Sequence, residues 1–176
     1  MAVTPSRSIW KRTGLAFSST CPTTVNVIDR RADYVGLNGA KADYPMTLDE
    51  DDHRLFVVTR RPPLLAVLDT DTRKEVARVP VGGWCDDVYF DSARKRIYAL
   101  GSEGFISVVQ QNDPNHYTLS ANIPTTVGLR TGVFFGTSLY AGVPAAGLEP
   151  AQIWNYADPN RASSSSKPHQ IFRLQD

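Results

Sequence analysis

A repeat of about 42 residues is the feature that most constrains how this chain can fold. The run HRLFVVTR at 53–60 is echoed by KRIYALGS at 95–102 and again by SLYAGVP at 138–144. An earlier copy, GLAFSSTCPTTVNVID at 14–29, overlays 54–69 without a gap. Repeats of this length are typical of propeller blades, solenoids and arrays, in which each unit buries its apolar surface against its neighbours.

Within each copy, short apolar runs alternate with turn residues. Valine, isoleucine, tyrosine and phenylalanine dominate the runs, and Gly, Asp, Asn and Pro fill the gaps, which is typical of strands and turns. No amphipathic helix is predicted. We label the echoed runs strand b. Strand a is predicted at 46–49, 88–91 and 133–136, strand c at 64–69, 105–110 and 152–157, and strand d at 33–38, 75–81 and 117–123.

Four antiparallel strands in each repeat predict an all-β fold built from β-propeller blades, with about four blades in the chain. The first copy has no recognisable strand a, so we expect the first blade to be shortened. The last copy ends after strand c, and only HQIFRLQD at 169–176 could supply its strand d. A β-sandwich and a meandering barrel are the competing architectures, but neither requires an in-register repeat.

The repeats also resemble a known family. FVVT at 56–59, LDT at 68–70 and DDVYFDSARKRIYALGSEGFISV at 86–108 are similar to the YVTN-type β-propeller repeats of bacterial surface and periplasmic proteins. The resemblance covers 14–157, and YPMTLDEDDHRLFVVTRRPP at 44–63 is similar to a subgroup whose members are largely of unknown function. It implies a propeller of about seven blades with an export signal in full-length relatives.

Composition and charge define the expected domain organisation and compartment. We predict a non-repeat N-terminal segment at 1–13, propeller blades at 14–162, and a Ser-rich linker with a C-terminal tail that could supply a last strand at 163–176. The formal charge of +1 gives no reason to expect nucleic acid or an anionic membrane as a partner. As written the sequence shows no export signal, so we expect a cytoplasmic protein.

An open row of four blades would leave two apolar blade faces in water. Propellers avoid such faces by closing the ring. We therefore expect a homodimer in which two copies close one eight-bladed ring about a two-fold axis. A self-closed four-bladed ring and a truncated fragment without a function of its own are the alternatives.

The loops that join strands b to c and d to the next strand a emerge on one face of a propeller, where ligands usually bind. We call this the loop-bearing face. Polar and aromatic residues are predicted to form a ligand-binding rim there. The rim comprises Lys41, Asp43, Tyr44, Arg60, Arg61, Trp84, Asp86, Asp87, Glu103 and Arg130.

The rim residues have structural as well as functional interpretations. Adjacent strand residues face opposite ways, so Asp86 and Asp87 cannot chelate a cation together without a loop conformation. We expect one of them to cap a turn and the other to pair with an arginine such as Arg60 or Arg130. Trp84 could stack on a ligand, although a tryptophan wedged between blades is the expected arrangement.

These observations favour a non-catalytic binding or interaction scaffold without a cofactor or catalytic residues. The alternative is a metal-dependent hydrolase similar to the propeller lactonases, in which Asp86, Asp87 and Glu103 would hold a divalent cation that activates water. The three histidines share no ligand spacing, so a zinc or haem site is not predicted.

Overall fold

The computed structural model describes residues 16–20, 24–29, 31–37, 39–157 and 172–173, and these contain strands and turns but no helix. The predicted segment at 1–13 and most of the predicted tail lie outside the described residues. The strands are β1 (Ala16–Thr20), β2 (Thr24–Asp29), β3 (Arg31–Gly36), β4 (Lys41–Asp49), β5 (Arg54–Arg61), β6 (Pro63–Asp69), β7 (Lys74–Pro80), β8 (Cys85–Asp91), β9 (Arg96–Gly101), β10 (Glu103–Asp113), β11 (His116–Val127), β12 (Gly132–Phe135), β13 (Ser138–Val143), β14 (Gln152–Ala157) and β15 (Phe172–Arg173).

The strands form four sheets, each made of strands that follow one another in the chain. The sheets contain β1–β3, β4–β7, β8–β11 and β12–β15, and every pair of neighbouring strands is antiparallel. In the first sheet the structure describes three strands, which correspond to strands b, c and d of the repeat. In the fourth sheet β15 pairs with β14 and takes the place of strand d. The predicted four-stranded units are therefore confirmed.

The period of the repeat is visible in the strand registers. Leu55, Ile97 and Leu139 occupy the same position in β5, β9 and β13, and each is at most 2% exposed. All three face the preceding sheet, because each belongs to the apolar cluster shared with it. The echoed run is therefore the second strand of the second, third and fourth sheets, as the sequence predicts.

Strand pairing extends further toward the loop-bearing face than the sequence predicts. The connection predicted between the runs 53–60 and 64–69 is reduced to a turn at Pro62, since β5 runs to Arg61 and β6 begins at Pro63. The Thr59 hydroxyl donates a hydrogen bond of 2.7 Å to the Pro62 carbonyl and closes this turn. Polar side chains at a strand end reach solvent without breaking the backbone ladder, so the ladder continues and satisfies the backbone groups.

Three apolar clusters hold the four sheets together, and we call them interblade cores. The first joins the first and second sheets, the second joins the second and third, and the third joins the third and fourth. In β5, Leu55 and Val57 point into the first core, whereas Phe56 and Val58 point into the second. Both faces of the second sheet are thus buried, which is the arrangement of an internal blade.

No helix in the described part of the chain is long and apolar enough to cross a membrane.

Candidate functional site

Four of the predicted rim residues come together on the loop-bearing face. Arg60 lies near the end of β5, Trp84 and Asp86 at the entry of β8, and Arg130 in the connection between β11 and β12. Each position is close to a boundary between sheets, so the second, third and fourth sheets all contribute. We call these four residues the Arg–Trp cluster.

One carboxylate lies between two guanidinium groups at the centre of the Arg–Trp cluster. Arg60 donates a charge-assisted hydrogen bond to Asp86 Oδ1, and Arg130 Nε lies 3.1 Å from Asp86 Oδ2. The expectation that an arginine pairs with one of the two aspartates is confirmed, and both arginines do so. Two cations therefore share this one carboxylate.

Trp84 covers the Arg60 side of this cluster and remains open to solvent. The guanidinium carbon of Arg60 lies 5.1 Å from the centre of the Trp84 ring, at cation–π distance. The expectation that Trp84 is wedged between blades is wrong, because the side chain is 51% exposed. Its backbone has a φ of 54°, a left-handed conformation that is rare for a bulky residue and turns the indole outward.

Asp87 points away from the Arg–Trp cluster and links the third sheet to the fourth by a hydrogen bond. Asp87 Oδ2 accepts a hydrogen bond of 2.9 Å from the Gly132 N–H, and the Tyr89 hydroxyl donates to the Gly132 carbonyl. Burial, together with the Asp87 carboxylate, raises the pKa of Tyr89 to about 12, so its hydroxyl stays protonated. Asp87 is therefore a capping residue, as one of the two aspartates was expected to be.

Gly132 makes these contacts, and no role was predicted for it from the sequence. A Cβ atom at this position would lie 2.3 Å from the Tyr140 carbonyl oxygen and 3.0 Å from Leu100 Cδ2. Only glycine allows β12 to lie so close to the neighbouring strand β13 and to the Leu100 side chain of the third sheet. A signal was available, since Gly132 pairs with Ala141 as Val88 pairs with Ala99 in the preceding blade, and glycine is unusual inside a strand.

Glu103 lies beside the Arg–Trp cluster, since it acts on Cys85 together with Asp86 and Arg60. Its Oε2 accepts a hydrogen bond of 2.9 Å from the Gly83 N–H, which ties the turn before β10 to the turn before β8. Asp86, Asp87 and Glu103 thus each bind separate protein donors. Within the ranges that the structure describes, no three His, Cys, Asp or Glu side chains are grouped so that they could hold a metal ion.

The second sheet separates Lys41 and Arg61 from the Arg–Trp cluster. Arg61 is exposed, and its backbone pairs with Lys41, the exposed first residue of β4. Side chains alternate along β5, so Arg61 points away from the third sheet while Arg60 points toward it. The backbone of Asp43 and Tyr44 belongs to β4, but their side chains lie outside the described part of the structure.

A second polar cluster, not predicted from sequence, lies on the opposite face of the blades. Lys95 Nζ lies 2.8 Å from Asp52 Oδ2 and 3.2 Å from Asp49 Oδ2, and Gln111 donates to both carboxylates. The hydrogen bond from Lys95 lowers the pKa of Asp52. The sequence did contain a sign of this cluster, because the acidic run at 49–52 and the basic residues Arg94 and Lys95 lie about one repeat apart. This cluster joins the second and third sheets at their turns.

Comparison with known proteins identifies the fold. No family model and no curated protein matches the chain. Among solved structures, a chain of the mitotic checkpoint complex matches with a TM-score of 0.62 and 16% identity over 77% of this chain. The β-propeller domain of Cps50 (Swd1) from Myceliophteria thermophila matches with a TM-score of 0.52 and 12% identity over 74%. The chain has a β-propeller fold.

Another match is hydrazine synthase from Kuenenia stuttgartiensis, with a TM-score of 0.58 and 14% identity over 89% of this chain. The propeller described here spans only part of each matched structure. It covers 49% of the hydrazine synthase chain, 44% of the checkpoint chain and 40% of the Cps50 domain chain. At these identities the likeness concerns the fold alone.

Proposed function

We propose that this chain is a non-catalytic interaction scaffold of the YVTN-repeat type, and that its Arg–Trp cluster binds an acidic segment of a protein partner. The observation that carries the proposal is the exposed Trp84 ring beside two guanidinium groups that share one carboxylate. Tryptophan and arginine are the residues most enriched at the energetic centres of protein interfaces.

The charge of the cluster favours an acidic partner. Asp86 is shared by two arginines, and the Arg130 side chain is 50% exposed. A carboxylate from a partner could accept hydrogen bonds from the exposed end of Arg130, since a guanidinium group has five N–H donors. The exposed face of Trp84 offers apolar area for a neighbouring aliphatic or aromatic side chain of the same partner segment.

The contacts of the carboxylates support a binding role over the hydrolase alternative. A cation that activates water would need several oxygen ligands pointing at one position. Asp86 points toward two arginines, Asp87 toward the Gly132 amide, and Glu103 toward the Gly83 amide. Each carboxylate stabilises a boundary of the third blade instead, so the cluster is preorganised for recognition.

A peptide array tests this proposal with defined probes. The array would display twelve-residue peptides with acidic and aliphatic residues, beside sequence-matched peptides in which Lys replaces Asp and Glu. We expect the wild type to bind acidic peptides selectively. Trp84→Ala should weaken the best binder by about 30-fold, the effect of a hot-spot residue, and Arg130→Ala by about 5-fold.

Arg96→Ala is the matched control, because it removes an exposed arginine at the turn before β9, on the opposite face. We expect it to bind the selected peptides as the wild type does. Equal binding of acidic and basic peptides would contradict the proposal. So would a selected peptide that binds Trp84→Ala and the wild type with equal affinity.

A further inference from the structure

The outward face of the fourth sheet carries exposed apolar side chains. Leu139 and Ala141 of β13 are buried against the third sheet. On the other side of the same sheet, Val133 is 57% exposed, Phe135 is 76% exposed and Ile153 is 39% exposed. An exposed set of large apolar residues on one sheet face is a mark of an interaction surface.

The same positions are covered in the preceding blades. The strand registers place Ile153 where the second sheet has Leu65 and the third sheet has Ile106. Leu65 and Ile106 are fully buried against the next sheet, with exposures of 0%. The fourth sheet therefore carries the apolar side chain that an internal blade uses to bind its successor.

The described interblade cores do not connect the two ends of the array. Each of the three cores joins consecutive sheets, and none contains residues of both the first and the fourth sheet among the residues that the structure describes. We propose that a second copy of this chain covers the outward face of the fourth sheet with its own first sheet. Two copies then close one eight-bladed ring about a two-fold axis.

The number of blades fits this occupant. The structure describes four sheets, and they match 40% to 49% of each of the three solved structures described above, so those structures have room for about as many blades again. The first sheet of the second copy would then pack against the β12–β15 sheet as the next blade of the ring.

The area available also fits a stable dimer. Three strands of six residues present a face of about 20 by 14 Å, or roughly 300 Å². Ring closure uses two such faces of each protomer, which buries about 1,200 Å² in total, the lower end of the range for specific protein–protein interfaces. Because the two contacts between the protomers belong to one ring, forming the first contact positions the two faces that form the second.

Light scattering after size exclusion, together with native mass spectrometry of the full chain, tests this proposal. We expect a particle of twice the chain mass of 19.4 kDa. Ile153→Arg places a charge in the proposed contact and should weaken dimerisation at least 100-fold, giving a monomer at micromolar concentration. Leu119→Arg is the matched control, because Leu119 is 43% exposed on β11 of the third sheet, and it should remain dimeric.

Val133→Asp is a second variant that the blade should tolerate, because Val133 is 57% exposed on the same outward face. It should also give monomers with an unchanged β-sheet circular dichroism spectrum. A wild type that is monomeric at all concentrations would overturn the proposal. The variant Ile153→Cys would then distinguish an open monomer, in which the thiol reacts with a thiol reagent, from a self-closed ring, in which it is protected. A dimer that persists in Ile153→Arg would overturn it too.

Discussion

Arg130 Nε lies 3.1 Å from Asp86 Oδ2, across the boundary between the third and fourth sheets. The other oxygen of the same carboxylate binds Arg60 of the second sheet, so Asp86 connects three consecutive sheets through one side chain. Its position explains how a residue near the strand entry both stabilises the array and orients the two guanidinium groups beside Trp84.

Replacing Asp86 with Asn should lower the free energy of unfolding by about 1 kcal/mol, since the Asp86 side chain is 31% exposed and Arg130 is partly screened by solvent. Urea unfolding followed by circular dichroism measures the change. Asp51→Asn is the control, because Asp51 is exposed in the turn after β4. Equal effects of the two substitutions would show that Asp86 does not connect the sheets.

Trp84→Gly separates the binding role of Trp84 from a structural one. Glycine relieves the left-handed backbone at φ 54°, a conformation that costs about 1–3 kcal/mol for other residues, while the variant loses the contact with Arg60. We expect the free energy of unfolding to stay within about 1 kcal/mol of the wild type. Peptide binding should nevertheless be lost. A large loss of stability instead would make Trp84 a structural residue.

Gly132→Ala should lower the free energy of unfolding by about 1–3 kcal/mol, the usual effect of overpacking, because it disturbs the pairing of β12 with β13. The added Cβ would overlap the Tyr140 carbonyl oxygen, which lies in the backbone and cannot rotate away. Gly36→Ala is the matched control, because a Cβ at that position meets no atom within 4 Å. Thermal unfolding of the two variants should therefore differ clearly, and similar melting temperatures would contradict the close approach.

The cluster of Lys95 with Asp52 predicts how stability depends on acid. The pKa of Asp52 is lowered by its hydrogen bond to Lys95, so this contribution is present above the ordinary value of 3.8 and is lost as the pH falls through the lower folded value. Lys95→Met should be less stable than the wild type at pH 7, by less than about 1 kcal/mol because Lys95 is partly exposed.

The difference between Lys95→Met and the wild type should shrink as the pH falls below 5 and through the lowered pKa of Asp52, because Asp52 then becomes protonated in the folded as well as the unfolded chain. Urea unfolding at several pH values measures it. Lys74→Met, which changes an exposed lysine at the start of β7, should show no such trend. A difference that stays constant with pH would mean that the two groups are not linked.

The repeat was sufficient to predict the blades, because equivalent positions such as Leu55 and Ile97 must meet equivalent neighbours in a stacked array. The partners of Asp86 could also be anticipated, since its neighbours in the array carry the nearest arginines. These inferences depend on spacing along the chain, which the sequence displays directly.

Other features depend on distances that the spacing does not contain. The rim is divided because Arg60 and Arg61 alternate across β5, and the predicted loop concealed that alternation. The exposed position of Trp84 follows from one left-handed backbone angle, and the role of Gly132 from contact with a carbonyl of the neighbouring strand. Neither leaves a periodic pattern in the sequence.

The most direct measurement of the proposed function is amide hydrogen exchange of the full chain with and without an acidic peptide selected from the array. Binding at the Arg–Trp cluster predicts slower exchange at 82–86 and 128–131, on the loop-bearing face. It predicts unchanged exchange in the turns at 50–53 and 92–95 on the opposite face. Slower exchange in those opposite turns, with none around Trp84, would contradict the assignment of the loop-bearing face as the binding surface.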